Sequence, residues 1–201
     1  MKRTIFTLLL GAIALTAISA QTAPDTTQPS SVLDYEPIRK GDQVIRITLG
    51  TTLPLFNLTP DGVETQTNLS PGGSGNIGFS RFVTNRISMG GEIAFAFNTT
   101  IGGNLYFYLP ITYNVGYEFV FNRIHVPVSL AIGGLFQTYA ITNYFGLIVR
   151  PEIGAYWQYS PAWSFGAQAG WNVIPQWYAN GSNNRTGNIL GLSAGFRYHF
   201  Y

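Results

Sequence analysis

LYFYLPITYNVGYEF, residues 105–119, puts an apolar side chain at every odd position: Leu105, Phe107, Leu109, Ile111, Tyr113, Val115, Tyr117 and Phe119. Tyr106, Tyr108, Pro110, Thr112, Asn114, Gly116 and Glu118 fill the even positions. A period of two is a strand pattern, because successive side chains point to opposite faces. Fifteen such residues, at roughly 3.4 Å each, outrun a usual soluble strand. A bilayer needs only about 9–11 tilted residues. The odd face is therefore expected to meet lipid and the even face a barrel interior.

Outward from this segment the alternation recurs over about 43–56, 74–84, 87–98, 125–137, 144–159, 163–173 and 188–200. With 105–119 that makes eight strands, the smallest common transmembrane barrel. The connections at 84–86, 121–123 and 160–162 are tight. Those at 57–73, 99–104, 138–143 and 174–187 are longer and rich in Gly, Asn, Thr and Pro. Short turns at one end and long loops at the other are the habit of outer-membrane barrels. The sequence thus predicts an all-β, eight-stranded antiparallel up-and-down transmembrane barrel over 42–201. The competing fold, a soluble barrel of lipocalin type, would reverse the faces and bury the apolar set.

Charge tests the face assignment independently. Arg46, Glu92, Glu118, Arg150, Glu152 and Arg197 all fall on the inward face. Arg81 falls outward, next to a short turn where it reaches the headgroups. An Arg facing lipid at the midplane costs about 2–4 kcal/mol, so a bilayer imposes this partition. The six inward charges form a candidate lumen-lining polar network. They read either as a paired plug or as a pore lining or gate. First and last strands meet at closure, so Arg46 and Arg197 become neighbours and need carboxylates from across the lumen. Gly50, Gly78, Gly90, Gly116, Gly133, Gly166, Gly170, Gly191 and Gly195 also point inward and are expected to leave unfilled volume.

The N-terminus is a separate matter. Lys2 and Arg3 precede an apolar run from Ile5 to Ile18, and Ala17-Ile18-Ser19-Ala20 offers cleavage before Gln21. Residues 1–20 read as a signal peptide, and the Pro-, Ser- and Thr-rich 21–41 as a periplasmic, mostly disordered lead-in. Without Lys2 and Arg3 the nine remaining cations match the nine carboxylates, so no basic face for nucleic acid is present. Cysteine is absent from the chain, so stability must come from burial or from a bilayer.

His125 and His199 are the only histidines. His125 shares a face with Ser129, but a compact Ser–His–carboxylate set is not evident, so neither catalysis nor a cofactor or metal is expected. Trp157, Tyr159 and Trp163 cluster near a short turn, and Tyr106, Tyr108, Tyr144, Trp177 and Tyr178 near the opposite rim. These read as two interfacial girdles or, more narrowly, as a ligand-stacking rim.

The ending Gly195-Phe196-Arg197-Tyr198-His199-Phe200-Tyr201 resembles the aromatic C-terminal signature of bacterial outer-membrane proteins. That resemblance implies that Phe196, Tyr198, Phe200 and Tyr201 serve as an assembly signal read by the barrel-assembly machinery. Here the alternating aromatic set ends at Phe200, one residue early. Over 43–201 the chain is similar to the small eight-stranded group that includes OmpA transmembrane domains, OmpX and OmpW, nearest to the OmpW type and to spirochete members. The resemblance implies an integral outer-membrane protein with periplasmic termini and uptake of small, hydrophobic solutes. Passage of small solutes is thus the expected function. The alternative is a surface interaction protein or adhesin whose barrel is only an anchor.

Overall fold

The computed structural model describes residues 36–139, 142–178, 181 and 184–201. The proposed signal peptide and the lead-in up to residue 35 lie outside the described residues. Nine strands follow in order: β1 (Gln43–Leu58), β2 (Glu64–Thr65), β3 (Gly72–Phe82), β4 (Ile87–Thr99), β5 (Leu105–Phe121), β6 (Ile124–Tyr139), β7 (Thr142–Gln158), β8 (Trp163–Gln176) and β9 (Arg185–Phe200). β2 is a two-residue extension paired to the end of β1. The other eight pair antiparallel with their sequence neighbours, and β1 pairs with β9 to close the barrel. Closure leaves none of these eight strands at a sheet edge, a requirement wherever water is not available to the backbone.

Burial follows the alternation. In β5 the even residues from Tyr106 to Glu118 are buried or nearly so, while Ile111, Tyr113, Val115 and Phe119 are exposed. Ile77, Ile93, Leu130, Ile153, Phe165 and Trp171 are likewise exposed, whereas Glu92, Glu118, Arg150, Glu152 and Arg197 are buried. Apolar outside and charged inside is the membrane arrangement, not that of a lipocalin. Strand ends match the sequence pattern to within a few residues, since the period is local. The turn at Asn122 uses a positive φ of 56°, which Asn tolerates better than most residues.

Two features depart from the sequence pattern. Residues 36–41, assigned to the lead-in, fold against the short-turn end. Ile38 is buried with Val44 and Phe82, the Gly41 amide donates to the Phe82 carbonyl, and the Gln158 side chain donates to the Glu36 carbonyl at 3.2 Å. The inward glycines, for their part, free less volume than expected. A Cβ at Gly50, Gly90, Gly133, Gly166 or Gly195 would sit 2.0–2.1 Å from a carbonyl oxygen of the adjacent strand. Glycine at those positions permits the close approach that bends the wall into a narrow barrel. At Gly78 and Gly191 a Cβ would make ordinary contact.

Candidate functional site

The lumen is a stack of layers, and the charges occupy its short-turn half. Arg46 and Arg197 lie directly opposite one another across the β1–β9 seam. Neither can serve the other, so each reaches a carboxylate elsewhere. Arg197 donates to Glu118 Oε1 at 2.6 Å, from β9 to β5 on the far wall. Arg46 pairs with Glu92 and lies 3.4 Å from Glu152. Arg150 pairs with Glu92 and, at 2.8 Å, with Glu152. The six inward charges therefore form a quartet, Arg46–Glu92–Arg150–Glu152, and a separate pair, Arg197–Glu118.

Further groups join these clusters. Ser129 donates to Glu152 at 3.3 Å, and the Arg197 guanidinium lies 3.9 Å from the centroid of the Tyr156 ring. His125 Nδ1 is 3.4 Å from Glu118. Ser164 is bonded to a histidine, His199 Nε2, at 2.8 Å. Both partners are buried, and the neighbouring carboxylate of Glu118 is engaged by Arg197 and His125. The pair helps to fill the interior.

The long-loop half of the lumen holds an apolar cluster beside buried polar side chains such as Thr52, Asn98 and Gln137. Ala96, Tyr106, Tyr108, Leu135, Ile148, Ile174 and Ile189 form one buried cluster, with Leu69 from the first long loop packed on it. The sequence carries a signal for this core. The alternation gives way to adjacent apolar residues at Leu135-Phe136, Leu147-Ile148-Val149, Val173-Ile174 and Ile189-Leu190. A strand buried on both faces reads that way. Two cavities flank the quartet. One of about 50 Å³ is lined by Thr48, Asn76, Tyr108 and Asn172 among others. The other, about 40 Å³, is lined by Arg46, Ser88, Asn114 and Glu118 among others. Each holds a few waters at most.

Above the apolar cluster the mouth is polar and aromatic. Tyr106 donates to Gln137 Oε1 at 2.6 Å, and Gln176 donates to the same oxygen at 2.9 Å. Arg185 donates through Nε to Gln176 at 2.8 Å and through Nη2 to the Tyr178 hydroxyl at 3.1 Å. The rings of Tyr144 and Tyr178 stack with centroids 6.3 Å apart and an interplanar angle of 22°. Of the rim aromatics, Tyr106 and Tyr108 are thus buried in the lumen, and Tyr144 and Tyr178 stand at its mouth. The girdle reading fails for these four.

At the opposite end the lipid-facing wall carries the expected aromatics. Trp163 packs against Phe165, Phe196 and Tyr198, and Tyr198 meets Phe200 edge to face at 4.7 Å. Phe196, Tyr198 and Phe200 lie on the outer wall. Tyr201 turns back over the short turn, where its hydroxyl donates to the Pro161 carbonyl.

A protein-family model matches residues 23–198. The chain is 32% identical to an uncharacterized protein of Treponema pallidum over 88% of its own length and 85% of the relative's. Among solved structures it is similar to Neisserial surface protein A, with a TM-score of 0.61 at 14% identity, covering 80% of this chain and 98% of that one. It is also similar to the outer-membrane protein OprG of Pseudomonas aeruginosa, with a TM-score of 0.53 at 14% identity, covering 84% and 100%.

Proposed function

We propose that this chain, which belongs to one family with the uncharacterized protein of Treponema pallidum and has the fold of small eight-stranded outer-membrane β-barrels, is a surface interaction protein with a closed lumen. The termini and short turns lie on the periplasmic side, and the long loops and the mouth face the medium. The observation that carries this reading is the filled interior. A salt-bridged quartet and an apolar core lie in series, with cavities of only about 50 and 40 Å³ beside them. An eight-stranded barrel has little more room than its own side chains need, and here they use it. Passage of a small solute would require both layers to move.

Binding at the outer end asks nothing of the core, which then serves to hold the mouth rigid. The outward Phe196, Tyr198 and Phe200 suit recognition by the assembly machinery, because their side chains lie on the wall that faces lipid.

Reconstitution of the full chain tests the reading. Planar bilayers and liposomes loaded with ions or apolar solutes are expected to show neither discrete conductance nor uptake. Intact cells are expected to offer the loop around residues 59–68 to added protease. Discrete conductance or solute uptake by the wild-type barrel would overturn the proposal in favour of passage. Protection of the loop on intact cells would overturn the orientation.

A further inference from the structure

The mouth network resting on the apolar core has the makings of a recognition site. Tyr144, Gln176, Tyr178 and Arg185 stand on β7, β8, the segment after β8, and β9, and all join one connected set of contacts. Gln137, almost wholly buried, anchors that set from below, and its Nε2 has no hydrogen-bond partner among the described residues. A Cβ on Gly146 would lie 2.7 Å from the Tyr144 ring and 3.5 Å from that nitrogen. The bare glycine therefore seats the ring.

We propose that this mouth binds an acidic saccharide, a pyranose carrying a carboxylate or sulfate, taken from the medium; the proposal rests on the surface-interaction reading and names its ligand class. The stacked rings of Tyr144 and Tyr178 give one flat apolar face, that of the exposed Tyr178, for the C–H side of a sugar ring. They are fixed in advance, by the stacking and by hydrogen bonds from the Trp177 amide to the Tyr144 hydroxyl at 3.1 Å and from Arg185 to the Tyr178 hydroxyl. Prior ordering of this kind lowers the entropy cost of binding.

The charge follows from Arg185. It is exposed, lies 5.6 Å from the Tyr178 centroid, and has no carboxylate partner among the described residues. Among the described residues, its fork of five N–H donors spends two, on Gln176 and Tyr178. The rest match a carboxylate or sulfate, either of which accepts paired N–H bonds from the fork. The side chains belong to the lumen side of the wall, away from the bilayer, so a soluble or pendant glycan reaches them and a membrane lipid does not.

Titration of the full-length barrel in detergent micelles with trigalacturonate tests this, with maltotriose as the neutral control and galacturonosyl lipid in vesicles as the membrane source. Saturable binding of trigalacturonate is expected, weakened about tenfold by Arg185→Gln through loss of charge-assisted hydrogen bonds. Tyr178→Ala should abolish it, and Tyr178→Phe, which keeps the ring, should retain most of it. Gly146→Ala should weaken binding by displacing Tyr144 without touching any charge. Heat-modifiable migration of each variant reports that the barrel has folded.

Equal affinity for maltotriose, equal affinity in Arg185→Gln and Tyr178→Ala, or binding only of the vesicle-borne lipid would each overturn the proposal. Absence of trigalacturonate binding by a non-conducting wild-type barrel sinks the saccharide site alone. Conductance in the same preparation sinks the surface reading beneath it.

Discussion

The two halves of this lumen solve one problem in opposite ways. Toward the short turns the space is filled by ions, with Glu92 serving Arg46 and Arg150 together and Glu118 serving Arg197. Toward the long loops it is filled mainly by an uncharged cluster around Leu135, Ile148, Ile174 and Ile189, with neutral amides such as Asn98 and Asn172 among them. Burial of apolar surface is favourable wherever it occurs, at roughly 25 cal/mol per Å². Buried ions cost desolvation, which the pairing offsets only when the geometry is complete. The apolar half therefore supplies stability that is tolerant of small change, while the ionic half is intolerant of a missing partner.

The largest expected effect comes from removing one member of the ionic half. Glu92→Ala leaves Arg46 and Arg150 to share Glu152, with one buried guanidinium uncompensated, and should lower folding stability by about 3–5 kcal/mol. Reversible urea unfolding in lipid vesicles measures it, and a loss below about 1 kcal/mol would mean that water enters and solvates Arg46 and Arg150. In the apolar half, Ile148→Ala deletes a fully buried side chain and should cost about 3 kcal/mol in the same assay. A negligible loss there would show a core loose enough to collapse, and would erase the contrast between the halves.

Smaller effects sharpen the comparison. Ile38→Ala, in the strap over the short-turn end, touches a satellite cluster with Val44 and Phe82. It should cost about 2 kcal/mol, the low end for a buried Ile→Ala, and protease accessibility near residues 36–41 should rise. A loss as large as that of Ile148→Ala would make the strap part of the main core. Replacing both members of the pair, Glu118→Leu with Arg197→Met, should be nearly neutral, within about 1 kcal/mol, because no uncompensated charge remains. Strong destabilisation of the double variant, matching Glu118→Leu alone, would show that His125 and Tyr156 depend on the ions for their own placement.

How much of this was legible in the sequence divides along the same line. The ionic residues stand out because Glu92, Glu118 and Arg197 interrupt strands that are otherwise apolar or small, and their parity places them inward. The apolar half is harder to read. Ile148 and Ile174 sit beside outward Val149 and Val173, and a doubled apolar position looks the same whether its second member faces lipid or core. The mouth was obscured for a related reason. Tyrosines near a rim suit a girdle by composition, and only their parity, even with Gly146 and Ile174, turns Tyr144 and Tyr178 away from the lipid.

By itself the sequence determined the strands, their number and their two faces, because a period of two is written residue by residue and needs no partner. It also determined that charge lies inside, since the bilayer penalises the alternative. Only the tertiary structure decided which charges meet. Register across the β1–β9 seam sets Arg46 beside Arg197, and the curvature of the closed wall brings Glu118 across to one and Glu92 to the other. It also decided that several inward glycines are points of close backbone approach and that residues 36–41 cover one end. These depend on stagger and closure, which belong to the whole barrel and are not encoded in any one strand.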